Sequence, residues 1–114
     1  MKAERRRRDT REYINDIFSY TIMRTPESLK AKINMPIGEM LIKYDYNYVG
    51  AYNFIHSVVL KVDKIMAENP NMVEDCILFT RKMEIISNAL EIIMKKDFGV
   101  TGLMVNDDHY EAIL

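Results

Sequence analysis

Between Asn71 and Gly99, the apolar residues Phe79, Met83, Ile86, Leu90 and Ile93 recur at alternating steps of four and three. That period marks one face of an α-helix. Arg81, Glu84, Asn88, Glu91 and Lys95 repeat at the same steps and form the opposite, wet stripe. Both ends carry signals. Asn71 with Glu74 three residues on reads as a capping box, with Pro70 just upstream. Lys95 and Lys96 stand where the negative end of the helix dipole favours cations, and Gly99 can supply a left-handed cap. Leu78, Ile85 and Ile92 add a second apolar row, so the spacing predicts a helix that touches at least two other elements.

The same reading applied upstream predicts three more helices. Leu41, Tyr44, Tyr48, Tyr52, Ile55, Val59, Val62 and Met66 follow helical spacing from Pro36 to Asn69-Pro70. Unbroken, that element would be about 45 Å long at 1.5 Å per residue. Asp45-Tyr46-Asn47 is its weak point, because Asp and Asn side chains compete for nearby backbone groups. Ile14, Ile17, Phe18 and Thr21 predict a first helix from Asp9 to about Arg24. Thr25-Pro26-Glu27 predicts a restart, with Thr25 as the cap. Leu29 and Ile33 make this second helix short, and Pro36 ends it near Met35.

Residues 1–8 show no apolar periodicity and read as a flexible basic arm; residues 100–114, with Gly102 and Asn106-Asp107-Asp108, read as a turn and a loosely held acidic tail. The expected fold is all-α: a small antiparallel helical bundle over residues 9–99, with three main helices and one short one. Composition agrees. Hydrophobic residues make up 48% and charged residues 29% of the 114, which is globular rather than disordered. Four Gly and three Pro leave few of the turns an all-β chain needs.

Apolar runs are broken by charge well short of a membrane span, so no membrane partner is expected. Arg5-Arg6-Arg7-Arg8 is followed by Asp9-Thr10-Arg11-Glu12, not by the apolar stretch of a secretory signal. A lone Cys76 excludes an internal disulfide and a Cys-based zinc site, and a reducing cytoplasm is the expected compartment. Heavy use of Ile, Lys, Asn, Met and Tyr without Trp suggests an AT-rich genome, and with it a small accessory protein of a bacterium, phage or other mobile element.

Catalytic signatures are absent. His56 has Asn53, not Glu, three residues before it, so the Glu-x-x-His pair of a di-iron bundle fails. His-Glu-x-x-His is missing. Gly99-Val100-Thr101-Gly102 follows a helix and reads as a cap, not as a phosphate loop. Glu74 and Asp75 beside Cys76 would raise its thiol pKa rather than activate it. His109 with Asp107 and Asp108 lacks the supporting shell a metal site requires. The sequence therefore predicts no enzyme, no cofactor and no metal.

Three features point to partners. Arg5, Arg6, Arg7 and Arg8 can contact phosphates, or order on a protein. Among Tyr44, Tyr46, Tyr48 and Tyr52, Tyr46 points away from the shared face and is a candidate contact. Asp107, Asp108, Tyr110, Ile113 and Leu114 have the composition of a short docking motif; the plainer and favoured reading is that Tyr110, Ile113 and Leu114 simply fold back on the bundle. The reading is a non-enzymatic helical protein that binds another macromolecule, with a protein partner and self-assembly through leftover apolar surface. The alternative is a small DNA- or RNA-binding regulator using Arg5 to Arg8 and a helix-turn-helix-like 37–61 segment, whose reading side would offer Asn47, Asn53 and Ser57.

Overall fold

The computed structural model describes residues 2–34, 47–107 and 109–114, with side chains from Glu12 onward except Asn15. Among the described residues, four α-helices and a β-hairpin follow in order: α1 (Lys2–Arg24), α2 (Glu27–Ile33), α3 (Tyr48–Glu68), α4 (Val73–Phe98), β1 (Gly102–Asn106) and β2 (His109–Ile113). The protein is mainly α, as the periodicity requires, but not all-α.

The face of α4 is where the spacing puts it. Phe79, Met83, Ile86, Leu90 and Ile93 are all buried, joined by Cys76 and Met94. Each such side chain contributes about 1.5–3 kcal/mol on burial. α4 packs along α3 and against α1; α2 packs on α3, and so does β2. The seam of α3 is rotated slightly from the expected stripe. Tyr48, Ala51, Ile55, Val58, Val62 and Ile65 are buried, whereas Tyr52, Val59 and Met66 lie beside them as half-buried flanks. The apolar face is wide enough for either phase.

Several helix boundaries differ from expectation, each for a local reason. α3 begins at Tyr48, where Asn47 caps it by accepting the Gly50 N–H at 2.9 Å. The weak point at 45–47 thus contains a true helix start; the expected turns upstream, 37–46, lie outside the described residues. Thr25 does not cap α2. Its hydroxyl donates to the Thr21 carbonyl at 2.7 Å, and Pro26 opens the helix by accepting from Leu29 and Lys30. Asn34, in the left-handed region at φ 46°, closes α2.

Asn71 does not cap α4 either, because Pro70–Met72 is wound as a 3-10 turn in which Met72 donates to Asn69 at 2.9 Å. That tighter winding buries Met72, and α4 starts at Val73 with no side-chain cap. Gly99 is the C-terminal cap expected of it, left-handed at φ 70°, and it turns the Val100 N–H back to the Met94 carbonyl.

Both termini depart from the sequence reading. α1 starts at Lys2, so Arg5 to Arg8 belong to a helix rather than to an irregular arm. Ala, Glu, Lys and Arg are good helix formers, and helix can run on past the last packed position without any apolar repeat. Gly102–Asn106 and His109–Ile113 pair as an antiparallel hairpin, where the sequence pattern predicts a loose tail.

Candidate interaction surfaces

The hairpin sets Asn106 opposite His109, Val105 opposite Tyr110 and Leu103 opposite Ala112. Asp107 takes φ 55°, the left-handed conformation that two-residue hairpin turns demand and that Asp tolerates. In such a hairpin the pair flanking the turn is hydrogen-bonded and the pairs then alternate. The N–H and C=O of Tyr110 therefore face outward, away from β1.

Asn53, on α3, meets them. Its Nδ2 donates to the Tyr110 carbonyl at 2.9 Å and its Oδ1 accepts the Tyr110 N–H at 2.6 Å. One carboxamide stands in for a neighbouring strand at Tyr110. The Tyr110 ring is set edge-on to Tyr52, with centroids 5.1 Å apart, and to His56 at 4.9 Å. These are favourable aromatic geometries. Burial, then Glu91 and Tyr110, push the Tyr52 hydroxyl above its ordinary pKa. On the other face of the hairpin, Glu111 accepts from Asn106 Nδ2 at 3.0 Å and pairs with His109 Nε2 at 3.1 Å. These two bonds hold its carboxyl below the usual range. His109 is thus drawn toward Glu111, and among the described residues no cluster of three or more His, Cys, Asp or Glu side chains is arranged to hold a metal ion.

The structure distributes the residues singled out from sequence. Tyr110 is committed to the fold, so it is unavailable as the aromatic anchor of a free docking motif. Ile113 and Leu114 stay largely exposed, and Asp107 forms the turn. Tyr46 and Asp108 lie outside the described residues. Arg5, Arg6, Arg7 and Arg8 are on the first turns of α1. The polar groups expected to read a DNA groove are occupied: Asn47 caps its own helix, Asn53 holds Tyr110, and the Ser57 hydroxyl donates to the Asn53 carbonyl at 3.1 Å. Sequence reasoning took Asn53 only as an exposed polar position. Its pairing partner is 57 residues away, so no local signal marks it.

Cys76 is fully buried on α4. Burial pushes its thiol up, and the negative charges of Asp75 and of Asp63 on α3 push it further. Asp75 is the neighbour expected to act this way; Asp63 arrives only through packing. Because the native state holds this proton more tightly than the unfolded chain does, stability is undiminished below the ordinary thiol pKa and falls as pH rises through it. In a thiol-reagent assay, native Cys76 is expected to be modified only as fast as the protein opens, and denaturant should release the full reactivity at once. Rapid modification without denaturant would contradict its burial.

Among the described residues, α4 also borders open surface. A groove of about 180 Å³ lies between the end of α1 and the start of α4, lined by Tyr20, Arg24, Asp75, Phe79 and Lys82 among others. Arg24 sits 4.3 Å over the Tyr20 ring at its mouth. Further along α4, Leu78, Ile85 and Ile92 are 53%, 45% and 52% exposed. The second apolar row is therefore real, and it faces outward. No helix among the described residues is long and apolar enough to cross a membrane. No protein-family model matches the chain, and neither a curated protein nor a solved structure matches it.

Proposed function

We propose that this chain is a non-enzymatic, mainly helical protein that binds other macromolecules and does so as a homo-oligomer. The observation that supports this reading is the row Leu78, Ile85 and Ile92. The three lie at seven-residue spacing on a helix whose core face is already filled, and each is about half exposed. A seven-residue step returns nearly to the same azimuth, so the row runs straight for about 21 Å. That is the geometry of a helix-to-helix seam, and its partial exposure leaves roughly half of each side chain's burial free energy unrealised. The short connection between α3 and α4 favours an antiparallel pair and with it a small bundle. The row then lies along the bundle's flank, accessible to a second molecule. The arginines at the start of α1 supply a cationic end for recruiting an acidic partner.

Light scattering at micromolar concentration is the test. The expected mass is a multiple of 13.4 kDa. Replacing Leu78, Ile85 and Ile92 together by Glu should lower that mass while the helical circular dichroism persists. A mass unchanged by the triple substitution overturns the assignment of this row.

A further inference from the structure

The two edges of the hairpin are not equivalent. β2 lies on α3, and Asn53 occupies its outward groups at Tyr110. β1 lies outside β2. The alternation that turns Tyr110 outward on β2 turns Leu103 and Val105 outward on β1, since these are the residues opposite Ala112 and Tyr110. Among the described residues, no backbone hydrogen bond reaches Leu103 or Val105 from outside the hairpin.

Among the described residues, neither charge, proline nor bulge on β1 blunts this edge. The strand reads Gly102-Leu103-Met104-Val105-Asn106, without charge, proline or bulge, and Met104 and Val105 are 49% and 62% exposed. Natural edge strands are ordinarily blunted by one of those devices. We infer that the β1 edge pairs with β1 of a second copy of this chain, antiparallel, about a two-fold axis at Met104, giving a four-stranded sheet ordered β2, β1, β1, β2.

The register follows from the pattern. An axis through Met104 sets Leu103 of one copy opposite Val105 of the other, and the reverse. Both residues present N–H and C=O outward, so each such pair exchanges both of its bonds. Met104 meets its own symmetry mate in the non-hydrogen-bonded position, where side chains come closest. An isologous contact requires the same patch to complement itself. An uncharged strand meets no like charge across the axis, whereas β2 would bring Glu111 near a second Glu111 if it were the paired edge. The side chains brought together are aliphatic, which cross-strand packing favours. This contact goes beyond the α4 row and is independent of it, so either can fail alone.

Met104→Lys places two ammonium groups opposite each other at the axis without touching the core; Met104→Thr keeps the strand uncharged and serves as its control. The expected masses by light scattering are these: the Leu78, Ile85, Ile92 triple Glu variant retains twice 13.4 kDa, the same variant with Met104→Lys falls to 13.4 kDa, and with Met104→Thr it stays at twice that value. Amide hydrogen exchange reads the edge directly. In the triple variant, the N–H groups of Leu103 and Val105 should exchange as slowly as that of Met104, which is bonded inside the hairpin, and Met104→Lys should release those two alone. A triple variant already at 13.4 kDa, or Leu103 and Val105 amides exchanging freely in it, overturns the inference. A wild-type dimer that ignores the triple substitution but is split by Met104→Lys would leave the β1 contact standing and remove the α4 one.

Discussion

Ile86→Ala is expected to cost about 2–5 kcal/mol of stability, while Ile85→Ala, one position away, should stay within about 0.5 kcal/mol in a single chain. Ile86 has no exposure; its neighbour is 45% exposed. Removing buried methyl groups from the α4 face leaves a void that α1 and α3 cannot fill without moving, so both the transfer term and the cavity term are lost. At Ile85 the truncated atoms already touch water. For a domain of this size the larger loss corresponds to a fall in melting temperature of roughly 10–30 °C. Thermal denaturation at a concentration low enough to keep the chain monomeric, followed by circular dichroism, measures both. Equal losses at the two positions would mean that α4 is rotated from the phase described here.

Asn53→Ala should release the hairpin. The substitution removes both bonds to Tyr110 and leaves a partly buried N–H and C=O without partners, which costs about 1–3 kcal/mol. The loss is local. Amides across residues 102–113 should exchange faster, with those in α4 little changed, because the core of α3 and α4 does not depend on Asn53. Asn53→Asp is the sharper variant. It keeps the acceptor for the Tyr110 N–H but sets a carboxylate oxygen against the Tyr110 carbonyl, so the hairpin should be loosened near neutral pH and recover as the carboxyl is protonated. Unaltered exchange in 102–113 after either change would show that the aromatic contacts with Tyr52 and His56 suffice to hold the strand.

Legibility varied with the range of the determining interaction. The α4 core face could be read because five residues repeat over four turns and a helix converts that repeat directly into a stripe. Gly99 could be read because a left-handed cap is a property of one residue. Asn47 was legible as a break for the same reason. The capping pattern at Asn71 was misleading: the chain spends Pro70 to Met72 on a tighter turn that buries Met72, and core burial outweighs a surface cap. The hairpin had a local signal, Asn106-Asp107-Asp108 between two short apolar runs, but the strands are only five residues each and the flanking Gly99 and Gly102 resembled a helix cap and loop. A two-stranded hairpin is marginal alone. Its order here depends on α3.

By itself, then, the sequence determined that this protein is built on amphipathic helices, where α4 ends, which of its residues face inward, and that α4 carries a second apolar row, whose exposure only the packing decided. Those are properties of neighbours within one or two turns. Tertiary structure alone decided the rotation of α3, the folding of the last residues against it, the use of Asn53 as a substitute strand, and which hairpin strand lies on α3. Each of these joins groups dozens of residues apart, and hydrogen-bond partners at that separation leave no period in the chain that carries them.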